Sequence, residues 1–241
     1  MNKLPKSLTT RRDILTGAGL VLAAIPLAHS QDVCTVFNKD LQAAITPALA
    51  LERLQAGNAR FIAGRTENCD LRVQVHNTAK GQAPFAAILG CMDSRVPPEL
   101  IFDQRIGDIF AIRIAGNFVN PDIIGSLEYA TKVAGAKLIV VLGHTDCGAI
   151  KGAIDDVKLG NLTTTLANIR PSVAEVAAHT GKSTSTDKKF VQAVAEQNVH
   201  DAVLSLGEHS EVLSGLVSAG HLQIAPAIHD VNTGTVTWLV R

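Results

Sequence analysis

Two short, uninterrupted apolar runs limit the folds open to this chain more than any other feature of its sequence. Residues 84–89 read Pro-Phe-Ala-Ala-Ile-Leu, and residues 137–142 read Lys-Leu-Ile-Val-Val-Leu. Runs of this length, without alternating polar residues, are typical of parallel strands that are buried on both faces of a sheet. A further strand is predicted over residues 109–114.

Helical patterns separate these strands. The predicted helices span residues 46–63, 120–134, 148–157, 163–180, 187–205 and 210–219. Residues 31–45 read as an irregular segment and residues 64–82 as a polar connection, while strands over 222–228 and 235–240 flank a turn at 232–234. This order predicts an α/β fold: a mostly parallel central sheet flanked by helices, with a C-terminal hairpin or edge strand.

The first 30 residues are expected to be an export signal and not part of this fold. Four cations precede an apolar stretch at residues 17–27, and the small-residue sequence Ala28-His29-Ser30 follows it. The segment around Arg11-Arg12 resembles a twin-arginine signal. We therefore predict cleavage near Gln31 and a periplasmic or secreted enzyme, although an uncleaved anchor or a chance basic start would give the same pattern.

After the signal and the irregular segment, residues 46–241 are predicted to form one domain. Its length suits a single α/β domain, and no second segment is long and apolar enough to span a membrane. The formal net charge of the chain is zero, which gives no indication of a nucleic-acid partner or of a polybasic membrane patch.

The chain has four cysteines, Cys34, Cys69, Cys91 and Cys147. An even number in an exported protein first suggests two disulfides. The local sequences divide them differently, because Cys91 and Cys147 follow strand-like runs and lie among Asp, Arg and His. Cys34 and Cys69 lie in polar surroundings, where they either pair with each other or remain free.

Metal-binding side chains follow two of the predicted strands. Gly-Cys-Met-Asp-Ser-Arg begins at residue 90, and Gly-His-Thr-Asp-Cys-Gly begins at residue 143. Parallel strands deliver such clusters to the same edge of a sheet. Cys91, His144 and Cys147 would supply the two thiolates and the imidazole that Zn²⁺ favours, and three protein ligands leave a fourth position open for catalysis. Zinc lowers the pKa of bound water to about 7, which yields a hydroxide nucleophile.

A carboxylate and an arginine accompany the first ligand. Asp93 and Arg95 are close enough to pair, so Asp93 would stay ionised and would orient the zinc-bound hydroxide. If the pair broke, Asp93 itself would occupy the fourth position and close the site. Taken singly, a cysteine or a histidine after a strand is more often a buried packing residue; the two clusters together favour a metal.

These clusters resemble the signature of β-class carbonic anhydrases, a Cys-x-Asp-Ser-Arg segment followed by a His-x-x-Cys-Gly segment. The resemblance extends over about residues 46–240 and includes Gly116-Asn117 and the closing Asn-Thr-Gly-Thr-Val turn. It implies reversible hydration of carbon dioxide to bicarbonate, a lyase reaction, with one Zn²⁺ per subunit in a homodimer or a dimer of dimers. The carbon dioxide pocket would be lined, partly across the dimer interface, by Gln82, Phe110, Ala115, Tyr129 and Gly148.

Three positions depart from the family pattern. Met92 stands where Ser or Ala is commoner, and Ile114 replaces a frequent Asn. Ile88 stands where members with an inhibitory bicarbonate site carry Trp, which favours a plant-like pocket. The alternatives are a carbonyl sulfide or carbon disulfide hydrolase and a non-catalytic zinc- or bicarbonate-binding protein. A redox role is disfavoured because no Cys-x-x-Cys motif is present.

Overall fold

A computed structural model describes residues 34–67, 69–181 and 184–240. The predicted export signal lies outside the described residues. Five strands form one sheet in the order β2-β1-β3-β4-β5. The strands are β1 Ala86–Gly90, β2 Ile109–Arg113, β3 Leu138–His144, β4 Gln223–His229 and β5 Val236–Trp238. All neighbouring pairs are parallel except β4 with β5, so the predicted α/β fold with its C-terminal hairpin is confirmed.

Ten α-helices surround this sheet in the described part of the chain. They are α1 Lys39–Ala44, α2 Pro47–Ile62, α3 Leu71–Thr78, α4 Pro98–Ile101, α5 Pro121–Glu128, α6 Gly148–Ile154, α7 Leu162–Ala167, α8 Arg170–Thr180, α9 Lys188–Glu208 and α10 Glu211–Ser218. None of the described helices is both long and apolar enough to cross a bilayer.

The central strands pack on both faces because every residue of β1 and β3 is buried. Successive side chains of a strand point to opposite faces, and the core divides accordingly. One layer packs beneath α5 to α10 and contains Ala87, Leu89, Ile139 and Val141. The other packs against α2 and contains Ala86, Ile88, Leu138 and Val140. Burial on both faces explains why these strands lack polar residues.

Two segments that were predicted to contain no helix, residues 31–45 and 64–82, each contain a short helix in the structure. Helix α1 lies within residues 31–45, where Asn38 caps it by accepting a hydrogen bond from Leu41 N at 2.9 Å. Helix α3 lies within residues 64–82, and the Asp70 carboxylate caps it. Asn and Asp are strong capping residues, so the signals were present in the sequence. The apolar periodicity of these short segments is weak, and for that reason no helix was predicted in either of them.

Two predicted helices have a different form in the structure. The helix predicted to reach residue 134 ends as α5 and continues through a π-helical turn, Tyr129–Val133. The helix predicted over residues 163–180 is divided into α7 and α8. Pro171 lies in the first turn of α8, and proline is tolerated there because it has no N–H to donate to a preceding turn.

Candidate metal centre

The adjacent parallel strands β1 and β3 bring the predicted ligands together. Gly90 is in register with Leu142, so Cys91 and His144 emerge at the same edge of the sheet. Cys147 follows three residues later and precedes α6. One donor atom from each of these three side chains lies within 4.8 Å of the other two, and the sulfur atoms of Cys91 and Cys147 are 3.9 Å apart. All three residues are buried.

The imidazole of His144 has the form that a metal ligand requires. Its Nδ1 lies 2.9 Å from the carbonyl oxygen of Thr145; a carbonyl only accepts, so Nδ1 carries the proton. In the neutral ring Nε2 then carries the lone pair, and no described group forms a hydrogen bond with it although it is fully buried. A buried polar atom without a partner is costly. A lone pair beside two thiols is a donor set that fits Zn²⁺.

The two thiols are already polarised against each other. The hydrogen bond from the Cys147 thiol lowers the pKa of Cys91 to about 4, although burial acts in the opposite direction. The same contact, together with burial, raises the pKa of Cys147 above its ordinary value. The contact therefore favours the thiolate form of Cys91 over that of Cys147, and metal binding to thiol ligands releases their protons.

The predicted pair of Asp93 and Arg95 forms a bidentate contact. Arg95 Nε donates to Asp93 Oδ1 at 2.9 Å, and Nη2 donates to Oδ2 at 2.8 Å. These bonds hold the pKa of the Asp93 carboxyl well below its usual range. Asp93 Oδ2 also lies 3.9 Å from His144 Nε2. An ionised, acceptor-only oxygen is thus fixed in direction beside the ligand cluster.

Arg113 and Gly116 also support the cluster, although neither was predicted from the sequence to act there. Arg113 Nε donates to the carbonyl oxygen of Cys91 at 3.0 Å, and its Nη2 donates to that of Asp93 at 2.6 Å. The N–H of Gly116 donates to Cys91 Sγ at 3.3 Å. A signal for Arg113 existed, because a lone cation ends the otherwise apolar strand β2 at the carboxyl edge of the sheet.

His229 is a second buried histidine beside the cluster, for which the sequence suggested only packing or a surface role. It pairs in register with His144, and neither of its ring nitrogens has a partner among the described groups. Burial is the largest cause that lowers the pKa of His229, to about 4. His229 is therefore neutral at physiological pH.

The residues predicted to line a substrate pocket lie in three separate places in the structure. Ala115 and Gly148 directly adjoin Gly116 and Cys147 at the carboxyl edge, and the rings of Phe110 and Tyr129 meet edge to face at 6.3 Å. Gln82 is exposed and precedes β1. Because five strand residues extend about 17 Å, a single chain does not bring Gln82 to the metal cluster.

The departures from the family pattern fall in different environments. Met92 is 63% exposed, so it fills no space in the core of this chain. Ile114 is partly buried against the helical layer. Ile88 is fully buried on the α2 side of β1.

Known proteins are similar to this chain over most of its length. A family model described as carbonic anhydrase matches residues 86–236. Carbonic anhydrase 2 of Mycobacterium tuberculosis is 36% identical over 189 residues, covering 78% of this chain and 90% of that protein. A carbonic anhydrase of Pseudomonas aeruginosa is 32% identical over 164 residues, covering 66% of this chain and 74% of that protein.

Solved structures have the same fold. The β-carbonic anhydrase of Coccomyxa, solved in complex with acetazolamide, is 26% identical with a TM-score of 0.63, covering 83% of this chain and 87% of that one. A β-carbonic anhydrase of Sordaria macrospora, described as tetrameric, is 26% identical with a TM-score of 0.62, covering 70% of this chain and 91% of that one.

Proposed function

The chain belongs to the β-class carbonic anhydrase family and as such interconverts carbon dioxide and bicarbonate; from this premise we propose that its catalytic metal is Zn²⁺ held by Cys91, His144 and Cys147. The observation that carries the proposal is the buried Nε2 of His144, which lacks a described hydrogen-bond partner while Nδ1 faces the carbonyl oxygen of Thr145. It lies in one cluster with two buried sulfur atoms. A single bound cation would use these three donors together.

When bound, zinc would supply Lewis acidity and lower the pKa of a water molecule to about 7. The protein provides the direction of attack. Because Arg95 keeps Asp93 ionised, the carboxylate only accepts hydrogen bonds. Asp93 would therefore accept the hydrogen of the attacking oxygen and leave a lone pair of that oxygen facing carbon dioxide. Asp93 and Arg95 act by orientation, and the proton released in each turnover passes to the solvent buffer.

The carbon dioxide pocket is proposed to be completed by a second copy of the chain. Strand β2 is an edge strand, since its outer side pairs with no described strand, and Phe110 and Tyr129 lie on that side of the protein. Tyr129 is 52% exposed and Val133 is 69% exposed, which is unfavourable for apolar surface in water. A homodimer or dimer of dimers joined there would cover these residues and would bring Gln82 of a second copy towards the pocket.

We propose export by a twin-arginine-like route to the periplasm or outside. Its support is the signal-like sequence of residues 1–30 and the disulfide between Cys34 and Cys69, a bond that persists in oxidising compartments. The disulfide ties residues preceding 46 to the zinc domain, so the mature folded unit would begin at about Cys34. N-terminal sequencing of the exported protein tests the cleavage near Gln31, and loss of export when Arg11 and Arg12 are both replaced by Lys tests the route.

The decisive experiment combines zinc content with stopped-flow carbon dioxide hydration by the mature protein. Replacing Asp93 by Asn keeps the shape of the side chain but weakens the Arg95 contact. We expect the rate to fall about 100-fold, the typical cost of a misdirected reacting group, with zinc still bound. Asp156→Asn is the matched control, because Asp156 pairs with Lys158 at an exposed position away from the cluster.

Wild-type rates in Asp93→Asn would refute the orienting role. Zinc-loaded protein that turns over carbonyl sulfide or carbon disulfide but barely hydrates carbon dioxide would identify the hydrolase alternative. Zinc binding without turnover of any of these gases would identify a non-catalytic binding protein.

A further inference from the structure

A buried hydrogen-bond chain connects helix α9 to the sulfur of Cys91. Asn198 Nδ2 donates to the carbonyl oxygen of Gly116 at 2.8 Å. The N–H of the same glycine donates to Cys91 Sγ at 3.3 Å. Asn198 is 3% exposed, so water does not substitute for it in this contact.

Gly116 needs an external partner to hold its orientation. It lies in the turn closed by the hydrogen bond from Asn117 N to Ile114 O, and its φ is +83°. Glycine has no Cβ and adopts positive and negative φ with similar ease, so its local conformational preference does not fix the direction of its N–H. A larger residue is disfavoured, because a Cβ on Gly116 would lie 2.4 Å from Ile169 Cδ1.

Asn198 is an unfavourable residue for its position unless its amide is used. It lies inside a 21-residue helix, on the buried face that also carries Val194, Val199 and Ala202. Asparagine is a poor former of helix interiors, and a buried amide without a hydrogen bond costs free energy. The bond to Gly116 satisfies the amide in a place where an apolar residue would otherwise pack.

We propose that Asn198 is a positioning residue for the metal ligand Cys91. By holding the Gly116 carbonyl, it keeps the Gly116 N–H on the Cys91 sulfur. That N–H draws negative charge from the sulfur, and hydrogen bonds to ligand atoms strengthen and tune metal sites. The inference rests on the proposed zinc function and adds a residue from a distant helix to it.

The test compares Asn198→Asp with Asn58→Asp in the full-length mature protein. Asn58 is also buried and also donates to backbone carbonyls, those of Ile101 and Gly234 at 3.1 and 2.9 Å, but it lies in the layer of α2. Zinc affinity is measured by competition with a chelator, and the sulfur-to-metal charge-transfer band is recorded after cobalt substitution. Urea unfolding gives the stability of each variant.

We expect Asn198→Asp to bind zinc about tenfold more weakly, at the lower end of the range for groups that support metal ligands. Its cobalt band should move to lower energy, because the sulfur loses a donor. Asn58→Asp should lose stability with no change in either metal readout. Asn198→Ser, whose hydroxyl is too short to reach Gly116, serves if the Asp variant does not fold, and it should give the same two changes.

The proposal is overturned if a folded Asn198 variant retains wild-type zinc affinity and the wild-type cobalt band. It is also overturned if Asn58→Asp changes both readouts as strongly, since general destabilisation would then explain them. Failure of the wild-type protein to bind zinc would instead refute the proposed function, and the inference with it.

Discussion

Removal of the disulfide between Cys34 and Cys69 should destabilise the enzyme without affecting its metal site. The bond joins residues separated by 35 positions. In the chain-entropy model, a loop of that length lowers the entropy of the unfolded chain by about 13 cal/mol/K, which corresponds to about 3.8 kcal/mol at 25 °C. For a domain of roughly 200 residues, this loss in the free energy of unfolding lowers Tm by about 8–15 °C.

The folded state should survive the change, because other contacts hold the N-terminal segment. Phe37 N donates to Asp108 Oδ1 at 3.0 Å. Gln42 Nε2 donates to the carbonyl oxygens of Pro84 and Ala134 at 2.7 and 2.8 Å. Pro84 precedes β1, so these contacts lie at the amino edge of the sheet, opposite the ligand cluster. We therefore expect unchanged zinc affinity and unchanged turnover at 25 °C.

The variant Cys34→Ser/Cys69→Ser can be followed by urea unfolding of the zinc-loaded protein. The single tryptophan of the chain, Trp238, lies 6.1 Å from the Phe102 ring in the core, so its fluorescence reports on folding. A phosphine reductant should destabilise the wild type to the level of the variant and leave the variant unchanged. A loss below about 1 kcal/mol, or an equal loss of stability by the variant on reduction, would refute the loop-entropy reasoning.

Two further predictions concern the support of the ligand cluster. Gly116→Ala should lower the free energy of unfolding by about 2–4 kcal/mol, because the positive φ disfavours alanine and its Cβ would lie 2.4 Å from Ile169 Cδ1. Adding Ile169→Val removes that Cδ1 atom and should recover part of the loss, as measured by urea unfolding. Gly125→Ala is the control, since its Cβ would meet nothing within 4 Å. Arg113→Met should lower kcat/KM about 10–100-fold in stopped-flow assays, because the Asp93 carbonyl loses its donor at 2.6 Å. Arg113→Lys should lower kcat/KM by a smaller factor. Wild-type rates in Arg113→Met would contradict a supporting role for Arg113.

The sheet and the ligand cluster were predictable because their signals are local. Continuous apolar runs such as residues 138–142 are compatible with few positions other than the centre of a parallel sheet. Once two such strands are adjacent, the polar residues that follow them must meet at the carboxyl edge. The convergence of Cys91 with His144 therefore follows from strand order and register alone.

The supporting contacts were not predictable, because they join residues with no local pattern in common. Asn198 and Gly116 are separated by 82 positions, and nothing around Asn198 distinguishes its amide from that of any other helical asparagine. The pairing of Cys34 with Cys69 could not be decided from the sequence for a similar reason, because the polar neighbours of both residues are equally compatible with free thiols. Only the fold shows that their Cα atoms lie 5.5 Å apart, within the range that a disulfide spans.

The four cysteines form two pairs at opposite edges of the sheet, and this separation bears on the export proposed above. The sulfur atoms of Cys91 and Cys147 are 3.9 Å apart. A closure of about 2 Å would bring them to disulfide distance. Such a bond would remove both sulfur ligands from the metal site. A bound metal occupies the same two sulfur atoms, so loading the chain before export should protect them.

Mild oxidation of metal-free and zinc-loaded enzyme tests this protection. Diamide accepts two electrons and two protons from a thiol pair as the disulfide forms. Mass spectrometry after thiol alkylation should show both Cys91 and Cys147 alkylated in the zinc-loaded enzyme and neither in the metal-free enzyme. The disulfide of Cys34 and Cys69 stays intact in both samples and serves as an internal reference. Equal oxidation rates with and without zinc would show that burial alone shields the thiols, and that loading before export confers no protection on them.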